Sequence, residues 1–404
     1  MSTRKLTGSA NNPQIRRRYR AEKRFKAYCI GAVSIAFAII IAFFTDIISQ
    51  GYTAFWQYQV QVTIDYNDRA ERLGQFALDR DMREVASRGA TRSIPRAIDR
   101  NPDLLGTTEE RWVPVKAEID QYLKHGRDIL EAKHEEVAAA PELPDKLRKK
   151  VDALIDEGRI ESAFNTRFFT TGDSKLPELA GIFSAAVGTL YVLGITLLCA
   201  FPIGVMSAIY LEEFAPDNKL TQTIEVNINN LAAVPSIIFG LLGLALFINF
   251  FGVPRSSALA GGLTLGLMTL PIIIISTRAA LRAVPDPIRQ GAFAMGCSRW
   301  QVVRDHVLPS SLPGILTGTI IGLAQAMGET APLIIVGMIA YIPEAPSGVF
   351  EAATVLPAQV FTWASEPEQA YVEKTAAGIM VLLAVLLTLN ATAVFLRRKF
   401  ERRW

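Results

Sequence analysis

The chain has 404 residues, half of them hydrophobic, with 42 Lys and Arg against 39 Asp and Glu for a net charge of +3. Its apolar residues are gathered in long uninterrupted blocks rather than spread at amphipathic spacing, a membrane composition that excludes a string of soluble domains. The small net charge hides basic ends that read as lipid-headgroup contacts rather than a nucleic-acid site, and three cysteines without ligand or pairing spacing exclude a disulfide framework, a zinc site and a redox centre.

A bilayer core about 30 Å thick is crossed by roughly 20 apolar residues in a helix. Six blocks are long enough: about Ala27 to Ile48, Leu179 to Leu211, Leu231 to Val253, Ala258 to Leu281, Gly314 to Ile342 and Thr375 to Leu396. The predicted fold is an all-α membrane protein of six transmembrane helices with a helical insertion between the first two. Residues 1–26 form a basic tail that closes with RRRYRAEKRFK, and helix 1, over 27–48, lacks a small-residue cleavage site and stays as an anchor. Helix 6, over 375–396, is followed by a second basic tail, RRKFERRW, at 397–404. Lys and Arg are held on the cytoplasmic side, so both termini are expected inside, against the lipid headgroups of a bacterial inner membrane.

Residues 49–178 carry charges of both signs. Apolar residues recur at three- and four-residue spacing in AERLGQFALDRDMREVASRGA and VKAEIDQYLKHGRDILEAKHEEVAAA, with turn signals at NPDLLG and APELPDK. The segment is expected as an extracytoplasmic helical domain, either a solvated spacer or a binding surface. Residues 179–342 hold four helices that each carry a proline: Pro202, Pro235, Pro271 and Pro332. Proline removes a backbone donor and bends a helix, which a membrane tolerates where neighbours or a cavity satisfy the freed carbonyl. The acidic segment 343–374, with Lys374 its one basic residue, is expected outside.

One inward loop, about 285–313, differs from the rest. Pro287 to Ala294 reads as a short amphipathic helix ended by Gly296, and SRWQVVRDHVL as a second one stopped at Leu308-Pro309. Two helices joined at a glycine make a rigid knob that can pass force from a soluble partner into the membrane.

This loop resembles the coupling loop of ATP-binding-cassette importer permeases, which runs E-A-A, three residues, G, nine residues, I-x-L-P. Gln290, Gly291 and Ala292 stand at its start, Gly296 at its glycine, His306 at its isoleucine, and Leu308 and Pro309 at its end. The Glu and the Ile of the pattern are missing. Three further stretches, MGETAPLIIVG (Met327 to Gly337), NNLAAVPSIIFGLLGL (Asn229 to Leu244) and SAAVGTLYVLGITLLCAFPIGVMSAIYLEEFAP (Ser184 to Pro216), are similar to phosphate permeases of the PstA type, over about Leu179 to Arg398.

The resemblance implies a type I importer permease fold and one half of a path for inorganic phosphate. The implied partners are a second permease of the PstC type, a dimer of ATPase subunits and a periplasmic phosphate-binding protein. The insertion resembles an extended N-terminal region of some members. This chain has no G-x-x-x-x-G-K-[ST] loop, so ATP and Mg belong to the ATPase; no catalytic residue, cofactor or metal site is expected here.

For the path or gate, the polar residues within the core are the candidates. Glu329, about 15 residues into the fifth block and near the midplane, either pairs with a cation on the partner permease or is protonated and bonded to a helix carbonyl. Arg278, near the inner end of its block, either snorkels to lipid phosphates or touches substrate. Gln325 stands where the resembled family can carry an arginine, three residues before the glycine of Gly-Glu-Thr-Ala-Pro. Ser236 and Thr330 are possible donors to a dehydrated anion, and Pro332 is the bend beside them. A permease for another oxyanion or small solute, and a membrane sensor with an outward signal-binding domain, are the competing readings.

Overall fold

The computed structural model describes residues 13–126, 143–339 and 341–400. Parts of both basic tails, His134 and residues 127–142, where the second amphipathic segment ends and APELPDK opens, lie outside the described residues. The chain divides into two units, Met1–Gln50 and Gly51–Trp404. The first is helix α1 (Pro13–Gly51), whose Ile35, Phe37 and Ile39 are exposed, as they are on a helix solvated by lipid tails.

The second unit begins with the insertion. In β1 (Trp56–Asp65) the side chains of Val60, Val62 and Ile64 are buried and the residues between them are polar or exposed, the two-residue period of a strand. Around it come α2 (Asp68–Arg72), α3 (Arg80–Val85), α4 (Arg88–Arg92), α5 (Ile94–Arg100), β2 (Thr108–Pro114), α6 (Ala117–Gln121), α7 (Asp145–Asp156), β3 (Ile160–Phe164) and α8 (Thr166–Thr170). The sheet order is β2-β1-β3, antiparallel throughout, with Val60 opposite Val113 on one side and Ile160 on the other. Val60, Val85, Ile98, Ile119 and Val151 share one core. The helical domain expected for 49–178 is thus realised only in part. Short helices occupy both amphipathic stretches, but a sheet joins them, because Tyr58, Val60, Val62 and Ile64 alternate with polar residues at a period no helix can bury on one face.

The membrane elements follow: α9 (Phe183–Ile209), α10 (Lys219–Ala232), α11 (Ser236–Gly243), α12 (Ala258–Arg282), α13 (Asp286–Ala294), α14 (Arg299–Val302), α15 (Leu308–Gly328), α16 (Ala331–Ile335), α17 (Leu356–Ala364) and α18 (Ala370–Phe400). Among the described residues five helices are long and apolar enough to cross a membrane. A sixth crossing results if Lys219–Ala232 and Ser236–Phe250, bent by 101° at their break, count as one. Pro202 and Pro271 lie inside continuous helices, whereas Pro235 marks the break before α11.

Close helix contact is set by small residues. Along α15, a Cβ on Gly314 would lie 2.7 Å from Ala280 of α12, one on Gly318 would overlap Ser276, and one on Gly322 would meet Ile272 at 3.6 Å. Steps of four residues in opposite directions along the two helices give an antiparallel seam, closest at Gly314 and Gly318, where a side chain would collide, and opening to ordinary contact at Gly322.

The insertion is tied to the membrane elements by buried polar contacts. Lys124 lies 2.6 Å from Asp120 and 3.2 Å from Glu373 in the first turn of α18, and His125 Nε2 is 2.6 Å from the other Glu373 oxygen. Burial disfavours the Lys124 ammonium, yet the Asp120 and Glu373 carboxylates together outweigh it and hold its pKa above the ordinary lysine value. Lys374 is buried with its ammonium 5.0 Å from the Phe168 ring centre. Trp363 Nε1 donates to Asp173 at 3.0 Å and Tyr371 donates to the Ser174 carbonyl at 2.6 Å.

Candidate functional site

The loop between α12 and α15 is a knob built by end-capping. Helix α13 closes through Gly296, at φ +85°, with Cys297 N–H donating to Ala292 and Gly296 N–H to Phe293. This crossed pair is a Schellman motif, and its left-handed residue is the reason for glycine at that site. Ser298 then opens α14 with a reciprocal capping box to Gln301. Leu281, Val284, Ala292, Val302 and Val307 form the knob's own small core.

The second knob helix does not stop at Leu308-Pro309, as its sequence suggests. It passes through a wider turn, Val303–Val307, straight into α15, so Arg299 to Gly328 is one continuous span. Pro309 lies just after the wider turn, inside that span. The knob and α15 therefore belong to one continuous helical span.

Of the proposed coupling residues, Ala292 is buried in the knob core, His306 and Leu308 are half-buried, and Gln290, Gly291, Gly296 and Pro309 are exposed. Other side chains, which no motif marks, present the surface. Phe293, Met295 and Trp300 are 49%, 73% and 54% exposed, three large apolar side chains open on a polar knob. The anchor is Arg289. Arg289 donates to the carbonyls of Leu281 and Val284 at 2.9 and 2.6 Å and to Glu213 at 2.8 Å, so one guanidinium joins the ends of α12 and α13 to the end of α9. The signal was a carboxylate pair, Glu212-Glu213, closing one apolar block while basic residues close the next.

Arg278 uses the other half of that signal. Its guanidinium bonds Glu212 at 3.2 Å and Glu225 at 2.6 Å, while Arg282 bonds Glu212 at 2.7 Å. The guanidinium is thus held between α9 and α10 by two carboxylates.

The gate candidates lie elsewhere. Helix α15 ends at Gly328, short of the expected Ile342, and Glu329 has an extended backbone at φ −85°, ψ 116°. Glu329 is thus at a break and not inside a helix. Among the described residues its carboxylate joins no ion pair. Taking the α12–α15 seam as a ruler, Glu329 is about thirteen residues, roughly 20 Å of helix, away from the level of Arg278.

Two breaks meet here. The half-helices α11 and α16 pack so closely that a Cβ on Gly240 would lie 2.8 Å from Pro332 Cα and 3.1 Å from Ile335. Ser236 opens α11 and Thr330 precedes α16; both are half-buried, while Gln325 is exposed on α15 four residues before Glu329. The structure brings Glu329, Thr330 and Pro332 together by chain adjacency, sets the α11 that Ser236 opens beside them, and leaves Arg278 out. Irregular backbone at this depth is tolerated only where protein or water meets it. No group of three or more metal-ligating side chains occurs among the described residues.

The chain has relatives among known proteins. Residues 200–404 match the family of binding-protein-dependent transport system inner membrane components, and residues 12–77 match a domain of unknown function, DUF3333. The probable ABC transporter permease protein YqgI of Bacillus subtilis is 35% identical over 43% of this chain and 58% of its own length. The phosphate transport system permease protein PstA 1 of Mycobacterium tuberculosis is 32% identical over 56% of this chain and 75% of its own. The matched region thus spans little more than half of the first relative and three quarters of the second. A chain of the MetNI methionine ABC transporter superposes with a TM-score of 0.43 at 21% identity, over 55% of this chain and 98% of that one. The model match over half the sequence, with the second relative, places this protein: it belongs to the binding-protein-dependent transport system inner membrane component family.

Proposed function

We propose that the chain is one permease half of an ATP-driven importer for inorganic phosphate in a bacterial inner membrane, with both termini cytoplasmic. The knob carries the reading. It exposes Phe293, Met295 and Trp300 to a soluble partner, and it is continuous with α15, whose far end is the Glu329 break. Force applied to these side chains by an ATPase dimer moves α15 as a rod, and the break against α11 opens or closes.

Phosphate as cargo is supported by the PstA relatives. A PstC-type second permease completes the path, and a periplasmic phosphate-binding protein delivers the anion. Ser236, Thr330 and Gln325 offer neutral donors, which bind an anion more weakly than a charged group and so let it leave. ATP and Mg stay with the ATPase.

The test is reconstitution with the co-encoded subunits and the binding protein in vesicles, reading ATP hydrolysis. Phosphate stimulation supports the proposal. Stimulation by sulfate alone reassigns the cargo, and no copurification of an ATPase overturns the role given to the knob.

A further inference from the structure

The sheet of the insertion has two unlike ends. At one, β1 closes on Asp65 opposite Thr108, and Glu109, Glu110 and Arg111 follow along β2. At the other, β1 opens on Trp56 directly opposite Phe164, the last residue of β3. No charged residue lies between Asp46 and Asp65, and Arg167 is the only one between Ser162 and Thr171. The rings at this end form a row. Trp56 meets Phe164 edge-on with ring centres 6.0 Å apart, Phe164 stacks on Phe169 at 6.1 Å, and Phe169 stacks on Phe55 at 5.8 Å. Phe169, Phe164 and Trp56, together with Tyr52 in the turn before β1, are 39% to 55% exposed. A contiguous uncharged run of open rings marks a contact surface.

Where the row starts indicates what it contacts. The Phe168 carbonyl accepts from Ile182 and the Thr171 carbonyl from Phe183, the first residue of α9, at 2.8 and 3.0 Å, so α8 is level with the beginning of a span. Phe55 packs on the same core as Val381 and Leu382, which stand inside the apolar run that follows Thr375 in α18. The row therefore begins beside helices that cross the bilayer and leads from them along the insertion. Tryptophan and tyrosine concentrate where hydrocarbon gives way to headgroups, because each has an apolar body and a polar tip.

We propose that this end of the insertion is seated in the membrane, with Tyr52, Trp56, Phe164 and Phe169 in the headgroup boundary of the adjacent leaflet and phospholipid as their partner. The rings continue a surface that already faces acyl chains, and only this end of the sheet is stripped of charge. Roughly 30 Å of strand then carries Asp65, Glu109 and Glu110 away from the lipid. The seat depends neither on the cargo nor on which side of the membrane the insertion occupies.

The full-length chain is placed in nanodiscs of phosphatidylethanolamine and phosphatidylglycerol, with or without bromine on the acyl chains near the headgroup. The emission lost in Trp56→Phe is assigned to Trp56. Brominated lipid lowers that emission by about two-fold or more, whereas aqueous iodide has little effect on it. Thr63→Trp, made in the Trp56→Phe chain, puts the same reporter near the charged end, where iodide quenches it and bromine does not. Phe164→Trp in the wild-type chain, read as added emission, answers the same question if Trp56→Phe folds poorly. Emission from residue 56 that bromine leaves unchanged overturns the proposal, whether iodide reaches the ring, which means water, or neither quencher does, which means a protein cover. Equal bromine quenching at residue 63 overturns it too, because the seat would not be confined to the uncharged end.

Discussion

Gly296 holds φ +85°, a conformation that costs an L side chain about 1–2 kcal/mol. Gly296→Ala is therefore expected to loosen the α13 cap and lower the thermal midpoint slightly while sharply reducing phosphate-stimulated ATP hydrolysis, measured on the same preparation. Gly291, in open space at the start of the same motif, is expected to accept alanine with little effect. Arg289→Met removes a donor from two carbonyls and a carboxylate at once, a loss of about 1–3 kcal/mol, and detergent-resistant unfolding should report it. Lys124 gives a pH test whose sign follows from its raised pKa. Its contribution is fully present below the unfolded lysine value of about 10.4 and is lost as pH rises through the higher folded value. The difference in midpoint between wild type and Lys124→Met should thus stay constant from neutral to mildly alkaline pH and shrink only in strong alkali. Much of this was legible in single residues: glycine followed by a serine cap announces the turn at 296. That Arg278 meets Glu225 and Arg289 meets Glu213 was not, since these carboxylates are supplied from 53 and 76 positions away.

Helices were legible where the bilayer dictates them, because a run of about 20 apolar residues admits few alternatives. Their ends were less so. Glu329 and the residues after it are as apolar on average as a span, and hydropathy alone cannot tell a helix from a short helix, a break and a turn. The sheet of the insertion was missed for the related reason that four alternating apolar residues in β1 are a weaker signal than an amphipathic helix. The α12–α15 seam makes the firmest element-scale prediction. Gly318→Leu is expected to overpack against Ser276 and cost about 1–3 kcal/mol or more, seen as a lower unfolding midpoint and a broadened elution profile. Gly240→Val, at the α11–α16 contact, is expected to spare folding more than transport, because it separates two short half-helices rather than two spans; uptake compared with the amount of assembled complex distinguishes the two.

For the molecule as a whole, the exposed Phe293, Met295 and Trp300 predict that Trp300→Ala with Phe293→Ala weakens capture of the ATPase by about ten-fold or more, measured by copurification across a salt series, with little effect on the midpoint of the isolated chain. The clamp at the other end has its own corollary for anyone who would shorten this chain. Glu373 and Lys374 are each 6% exposed, and the side chains around them, Lys124, His125 and Phe168, all come from the stretch before α9. Excising that stretch would strand a carboxylate and an ammonium at the lipid boundary, so a minimal version would have to exchange both for apolar residues in the same step.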